Sequence, residues 1–422
     1  MKMILGASSV FICDQKFSIL ENAGVLFDCD SQATKNQILE IDSYESLRAK
    51  YPHLPQSFHQ DCVLLPALHN AHIHFEFSNN LSQLNYGSFA SWLESVITHR
   101  EELFENLQAS IQREIALQLS SGVASVGAIS SYGYDIPLLA QSPLRITLFN
   151  EAIGNNPSML DALFGNLKER LEECQNLKSP KFSPALAIHS PYSTHFVLAK
   201  QVALLAQKQD LKISCHFLES LEEKQWLQSG SGWFQEFFQN FFQVPNAKPS
   251  MNILEFLEIL KDLSPLFVHC LFADSLILNK ISQMQGFIAC APRSNRLLNC
   301  KLLNLQKCKE ANLSPIFSTD GLSSNFSLNL IEEIRTAFFG YAQEEVLGLA
   351  QDLILGITHF PALALGIASG EIAVGKFADL ALFECKGISK SQQKPLHFVL
   401  HANSKVKRLY INGKGVQNGT TL

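Results

Sequence analysis

Short apolar runs, several rich in Val, Ile and Phe, recur along the chain between longer stretches in which apolar residues return every three or four positions. From about 63 to 368, the runs at 63–68, 123–129, 145–150, 185–189, 211–216, 266–269, 286–290 and 315–319 predict strands. The segments 102–121, 159–177, 196–208, 277–284 and 305–311 carry helical spacing. Eight strands in near-regular alternation with helices predict an α/β protein, a (β/α)8 TIM-like barrel, with reactive groups at the C-terminal ends of the strands. The two ends of the chain differ. Strand-like runs at 10–13, 23–27 and 37–41, with a short helix at 44–51, match the texture of 370–372, 378–383 and 406–414. Neither end has enough apolar surface to fold alone. A small β-sandwich domain built from both termini, 1–62 with 369–422, is therefore expected beside a barrel spanning 63–368.

Composition narrows the function classes. The chain has 422 residues, 46% of them hydrophobic, which is ample for a large core. A net charge of -6 without a basic block argues against nucleic acid as a partner. The apolar start is broken by Gly6, Ser8 and Ser9 and runs into Asp14 and Lys16, so a strand is expected there rather than a signal segment. No run reads as a membrane span, and a soluble cytoplasmic protein is expected. Ten Cys are scattered without a C-x-x-C, which points away from thiolate zinc and toward reduced, buried thiols.

The candidate chemistry starts at the first predicted barrel strand. His72 and His74 lie two apart, so on an extended strand their imidazoles project to one face and can share a metal ion. Two ligands do not complete a site. His189, His216 and His269 close the fourth, fifth and sixth predicted strands, and Asp320 follows the eighth. Five of the thirteen His and one Asp would then face a common mouth. Trp233, Phe234, Phe237, Phe238, Phe241 and Phe242 recur at helical spacing after the fifth strand, as core, as a subunit contact in a homodimer, or as a lid.

These residues sit in motifs. The chain reads Pro66-Ala67-Leu68-His69-Asn70-Ala71-His72-Ile73-His74, His189-Ser190-Pro191-Tyr192, His216-Phe217-Leu218-Glu219, Cys290-Ala291-Pro292-Arg293-Ser294-Asn295 and Thr319-Asp320-Gly321-Leu322-Ser323-Ser324-Asn325. In that order they resemble the amidohydrolase superfamily, in the branch of cytosine, guanine and adenosine-type deaminases and triazine chlorohydrolases. Ala67 stands where the family has Gly, and one residue is inserted in the Cys-Pro-x-Ser-Asn motif. The tail Gly375-Lys376-Phe377-Ala378-Asp379-Leu380 resembles the family's return into its small β-domain.

The resemblance implies one divalent metal, zinc or else iron, on His72, His74, His216 and Asp320. The fourth strand offers no Lys to bridge a second ion. It further implies that Asp320 accepts a proton from water. Glu219 would protonate a ring nitrogen and later pass a proton to the leaving amine, and His269 would orient the attacking hydroxide and stabilise charge on the tetrahedral intermediate. His189 and Ser323 would contact substrate. The stretches around His74–Asn80, Tyr86–Phe89 and Trp92 look most like aminodeoxyfutalosine deaminases of menaquinone biosynthesis, whose nucleoside substrate carries a benzoate. Arg293 and Arg296 are the candidates to meet that carboxylate. Deaminases of adenosine, methylthioadenosine, S-adenosylhomocysteine or guanine, and a related chlorohydrolase, are the alternatives within the class. Phe272, where many relatives have a second His, weakens the guanine and triazine versions. A non-catalytic assembly barrel is the alternative outside the class. The absence of Pro-Cys-x-x-Cys separates the chain from the cytidine-type zinc deaminases.

Overall fold

The computed structural model describes residues 1–79, 84–99, 101–417 and 420–421; Asn80, at the end of one quoted motif, lies outside them. Two sheets organise the chain. The first is parallel, and its strands run in chain order: Leu68–His74, Val123–Ser130, Arg145–Ala152, Phe182–Ile188, Ile213–Phe217, Leu266–His269, Phe287–Cys290 and Ile316–Phe317. A ninth short strand, Asp320–Gly321, pairs with the first through Asp320 opposite Ile73 and Gly321 opposite His74. Only Ser318 and Thr319 separate it from Ile316–Phe317 on the opposite edge. The sheet therefore curls until both its edges meet in one segment of chain, as a TIM-like fold requires.

Alternation sorts the side chains of this sheet. On the fourth strand Ala185 and Ala187 point inward with Ala71, Ile129, Phe149, Leu266, Ala289 and Ile316, while Leu186 and Ile188 face the outer core. Ala364 and Leu365, from the helix His359–Leu365, pack into the same inner cluster. Small residues inside leave little room. Gly127 faces Ala71 so closely that a Cβ there would meet its carbonyl oxygen.

The second sheet is mixed, with eight strands in the order Thr420–Thr421, Lys414–Gln417, Arg408–Ile411, Leu380–Glu384, Gln56–Pro66, Lys2–Phe11, Ile19–Asp28, Ile38–Ser43. Both ends of the chain contribute strands to it. The strand Gln56–Pro66 belongs here and runs four residues past the expected boundary at 62, and the first barrel strand is Leu68–His74 instead of 63–68. The reason lies in packing. Cys62 and Leu64 face the core of the mixed sheet, whereas Val63 and Leu65 face the main core, so the strand is apolar on both sides. A run buried on both faces reads the same in either sheet. Segment 370–372, expected as a strand, is irregular, with the Ile372 N–H donating to the Ile12 carbonyl.

The two sheets are tied by a buried ion pair. Arg145, first in the third barrel strand, places Nε 2.9 Å and a terminal nitrogen 3.2 Å from the carboxylate of Asp379, which also accepts the Asn412 N–H at 2.6 Å. The stretch Val346–Leu365 is long and apolar enough to cross a membrane, contrary to the sequence reading. It is two helices, Val346–Leu355 and His359–Leu365, with 61% of its most apolar window buried inside the protein. It is core by packing.

Candidate active site

The ends of the barrel strands gather the predicted residues. His72 and His74 end the first strand, His216 lies in the fifth and Asp320 opens the closing strand. His74 Nε2 is 3.2 Å from His72 Nε2, 3.3 Å from His216 Nε2 and 3.4 Å from Asp320 Oδ1, and His72 Nε2 is also 3.4 Å from that oxygen. Zinc–ligand bonds of about 2.0–2.1 Å in a tetrahedron put neighbouring donors about 3.3 Å apart. The four donors could thus hold one divalent ion.

Their surroundings fit that use. His216 Nδ1 donates to the His189 carbonyl at 2.8 Å, which turns the Nε2 lone pair inward. Asp320 Oδ2 accepts from Ser294 Oγ at 2.8 Å and Ser324 Oγ at 3.0 Å, leaving Oδ1 to the imidazoles. Burial, then the neighbouring imidazoles, hold His74 down at about 3 and His216 well below the usual histidine range, so both imidazoles are neutral, as a metal would require of them. Burial works to raise Asp320, but its hydrogen bond to His72 and the nearby His74, His72 and His269 outweigh it and keep the carboxylate ionised. Backbone conformation is strained here as well: Leu218, His269 and Asp320 all have positive φ, at 47°, 73° and 61°.

Glu219 stands beside this cluster, 6% exposed, with Oε1 3.5 Å from His269 Nε2. Burial, then the charge of Asp320, push its carboxyl well above the ordinary range, which favours its protonated form. Its backbone N–H donates to Glu223 Oε2 at 2.9 Å, and Glu223, itself buried, is fixed by Ser220 Oγ at the start of the helix Leu221–Ser229. His269 Nδ1 lies 3.0 Å from Asn295 Oδ1 and donates to it, which leaves Nε2 to face Glu219. His189 is half-buried, its Nδ1 held by Ser193 Oγ at 2.6 Å and its ring 5.0 Å from that of His216. Ser323 lies at the rim, where its carbonyl accepts the Trp92 indole N–H at 2.9 Å. The helix Trp233–Asn240 buries Phe234 against Tyr192, ring centroids 4.4 Å apart, while Phe241 and Phe242 beyond its end are half-exposed.

Arg293 is not brought to the mouth, which corrects the expectation that it meets a substrate carboxylate. Pro292 opens a helix, Pro292–Asn299, whose buried face takes Arg293 inward. There its Nε is 2.8 Å from Glu333 and a terminal nitrogen donates to the Asn329 carbonyl at 3.0 Å, with 2% of the side chain exposed. Its charge is already spent. Arg296 is exposed, 3.2 Å from Cys300 Sγ.

Three buried carboxylates went unnoticed in the sequence. Glu151, at the exit of the third strand, accepts from Ser131 Oγ at 2.6 Å and points Oε1 to within 3.7 Å of His216 Nδ1. Burial pushes it up to about 7. Glu76, just past the His pair, accepts the backbone N–H groups of Ser131, Tyr132 and Tyr134 at 2.7, 3.0 and 2.8 Å. Asp135 is buried beside it and accepts from Ser130 Oγ at 2.6 Å.

The family model described as the amidohydrolase family matches residues 63–416. The chain belongs to the amidohydrolase family. Among amidohydrolases and related proteins, it is 42% identical over 419 residues to a Helicobacter pylori protein named adenosine deaminase, covering 99% of this chain and all of that one. It is 38% identical over 399 residues to the aminodeoxyfutalosine deaminase of a Nitratiruptor species, covering 94% and 96%. The crystal structure of Helicobacter pylori aminofutalosine deaminase in complex with methylthio-coformycin superposes with a TM-score of 0.92 at 41% identity, over 98% of this chain and all of that one.

Proposed function

We propose that this amidohydrolase is a metal-dependent deaminase of adenine-containing nucleosides, converting 6-amino-6-deoxyfutalosine to its hypoxanthine counterpart and ammonia in menaquinone biosynthesis. The observation that carries the reading is the buried Glu219, its carboxyl raised well above the ordinary range, beside four converging donors, in a chain similar over nearly its whole length to an aminodeoxyfutalosine deaminase. Zinc suits three imidazoles and a carboxylate on His72, His74, His216 and Asp320. Bound there, it supplies Lewis acidity and lowers the pKa of water at the site to about 7.

The chain's own residues handle the protons. As water adds to C6 of the purine, Asp320 takes one of its protons and Glu219 gives its own to the adjacent ring nitrogen. His269 Nε2 accepts a hydrogen bond from the adding oxygen and orients it, and His189 and Ser323 contact the nucleoside. Glu219 then takes the proton of the new hydroxyl and hands it to the amino group, the C6–N bond breaks, and ammonia leaves as C6=O forms. The proton on Asp320 returns to Glu219, and the site is reset.

On this reading the catalytic barrel begins after Pro66 and extends to about 368. The mixed sheet from both termini is a small β-sandwich domain. Ten cysteines free of disulfides suit a reducing cytoplasm. The test is ammonia release from aminodeoxyfutalosine, adenosine, methylthioadenosine, S-adenosylhomocysteine, guanine and cytosine, with metal content assayed on the same sample. Preference for aminodeoxyfutalosine is expected. Activity on the other adenine nucleosides alone, which the adenosine deaminase relative favours as the second reading, keeps the mechanism and discards the pathway. No turnover by metal-loaded protein refutes the deaminase.

A further inference from the structure

Glu333 takes no part in the chemistry above, yet it is fully buried just behind it. It lies in the first turn of the helix Leu330–Gly340, which follows the closing strand of the parallel sheet. Its two oxygens reach two different segments. Oε1 accepts the backbone N–H of Arg293 at 2.8 Å, and Oε2 lies 2.8 Å from Arg293 Nε and accepts from Asn325 Nδ2 at 2.9 Å. Arg293 is held further by the Asn329 carbonyl and by the Phe326 ring, whose centroid is 4.5 Å from the guanidinium carbon. Asn325 shares the same Nδ2 with the Thr319 carbonyl, at 2.8 Å. Burial raises the Glu333 carboxyl, while the Arg293 charge and these N–H donors work against the rise.

The neighbours of the two held residues give these contacts their meaning. Ser294, next to Arg293, and Ser324, next to Asn325, are the two hydroxyls that donate to Asp320 Oδ2, at 2.8 and 3.0 Å. Asn295, one residue beyond Ser294, meets His269 Nδ1 at 3.0 Å. One carboxyl group thus spans the segments that bear both hydroxyls and the amide that sets the His269 tautomer. Asp320 needs such a frame. Its φ of 61° is a conformation that a residue other than glycine keeps only where its surroundings hold it. Thr319, just before it, is held by Asn325 at its carbonyl and by Asn70 at its N–H. Stability alone does not account for a charged pair at this depth, because a buried ion pair is about break-even against apolar side chains of similar volume. What the pair adds is a fixed spacing between two segments that both touch the site.

We propose that Glu333 is a positioning residue for the donor site. By fixing Arg293 and Asn325 relative to each other, it turns Asp320 Oδ1 toward the imidazoles and keeps His269 Nε2 toward Glu219. The inference rests on the metal reading above and deepens it. The test measures zinc affinity by chelator competition, and the protonation of the His269 ring nitrogens by nitrogen NMR with His269→Gln for assignment, so neither readout depends on turnover. Glu333→Gln keeps the shape but can no longer accept from both segments. Zinc affinity should fall about tenfold, and His269 should pass from a proton on Nδ1 to a mixture of tautomers. Arg145→Met breaks a buried pair at the opposite end of the barrel strands and controls for lost stability; it should keep its zinc affinity and its His269 signals. Should Glu333→Gln not fold, Glu333→Gln combined with Arg293→Met, which leaves no unpaired charge, takes its place and should show the same two changes. Zinc affinity or His269 signals unchanged in the folded variant, or an equal loss in Arg145→Met, would overturn the positioning role. Failure of both Glu333 variants to fold would overturn it too, since the group would then serve stability. Wild-type protein that binds no zinc would refute the metal reading itself, and this inference with it.

Discussion

Replacing Glu219 by Gln removes one proton and leaves nearly everything else in place. The side chain is 6% exposed and burial raises its carboxyl well above the ordinary range, and an amide of the same shape introduces no buried charge. Its backbone N–H keeps its bond to Glu223, and the first amide atom can still face His269 Nε2. Folding should therefore survive, with the melting temperature within a few degrees of wild type. Catalysis should not. On the proposed mechanism Glu219 supplies the proton for the ring nitrogen and later the one for the amine, and a positioned general acid is worth about 10²–10⁴-fold. With both transfers lost, kcat should fall about 10³-fold or more, equivalent to about 4 kcal/mol of barrier. The assay is ammonia release with metal content and coformycin binding measured on the same preparation. A variant that binds metal and inhibitor yet keeps more than a tenth of wild-type kcat would refute the role of Glu219.

Other perturbations bear on the frame around the site. Ser294→Ala removes one of two hydroxyls that orient Asp320, and metal affinity in a competition titration should drop about tenfold with the fold unchanged. Arg145→Met leaves the Asp379 carboxylate buried without its cation, and urea melts should report a loss of about 3–5 kcal/mol. Glu223 has its carboxyl raised to about 8, mainly by burial. Between the ordinary carboxylate range and pH 8 the folded protein holds a proton there that the unfolded chain has lost. That contribution therefore declines as pH rises, by about 1 kcal/mol per unit. Denaturant melts at pH 5.5 and 7.5 should show a smaller decline for Glu223→Gln than for wild type; parallel behaviour would mean Glu223 is ionised in the fold.

What the sequence disclosed and what it hid follow from how each residue is held. His72, His74, His216 and Asp320 could be picked out in the sequence because each stands at or beside a strand end inside a short motif, and parallel strands bring their ends together by construction. Ser294 and Asn295 stood in a quoted motif without a role, and their roles became visible only as contacts to Asp320 and His269. Glu76, Asp135 and Glu151 were opaque. Glu76 and Glu151 meet partners on the loop after the second barrel strand, Asp135 meets Ser130 just before it, and in the sequence nothing distinguishes any of the three from a solvated side chain. Arg293 misled because its position after the seventh strand is right for the mouth, while its direction depends on Glu333, forty residues away. The slip in the first strand has a similar source, since Val63 and Leu65 pack on one core and Cys62 and Leu64 on the other.

The closing segment of the parallel sheet carries a consequence for how the protein lives without its ion. Asn70 holds Thr319 through both backbone and side chain, and the next residue, Asp320, both pairs with Ile73 and offers its oxygen to the imidazoles. On the proposed reading, the stitch that shuts the cylinder is thus also one of the fingers that would grip the cation. Whatever loosens the grip slackens the stitch, and loading the ion tightens both by the free energy of binding. Scarcity of metal would then be felt first as an opening seam, before any wider unravelling.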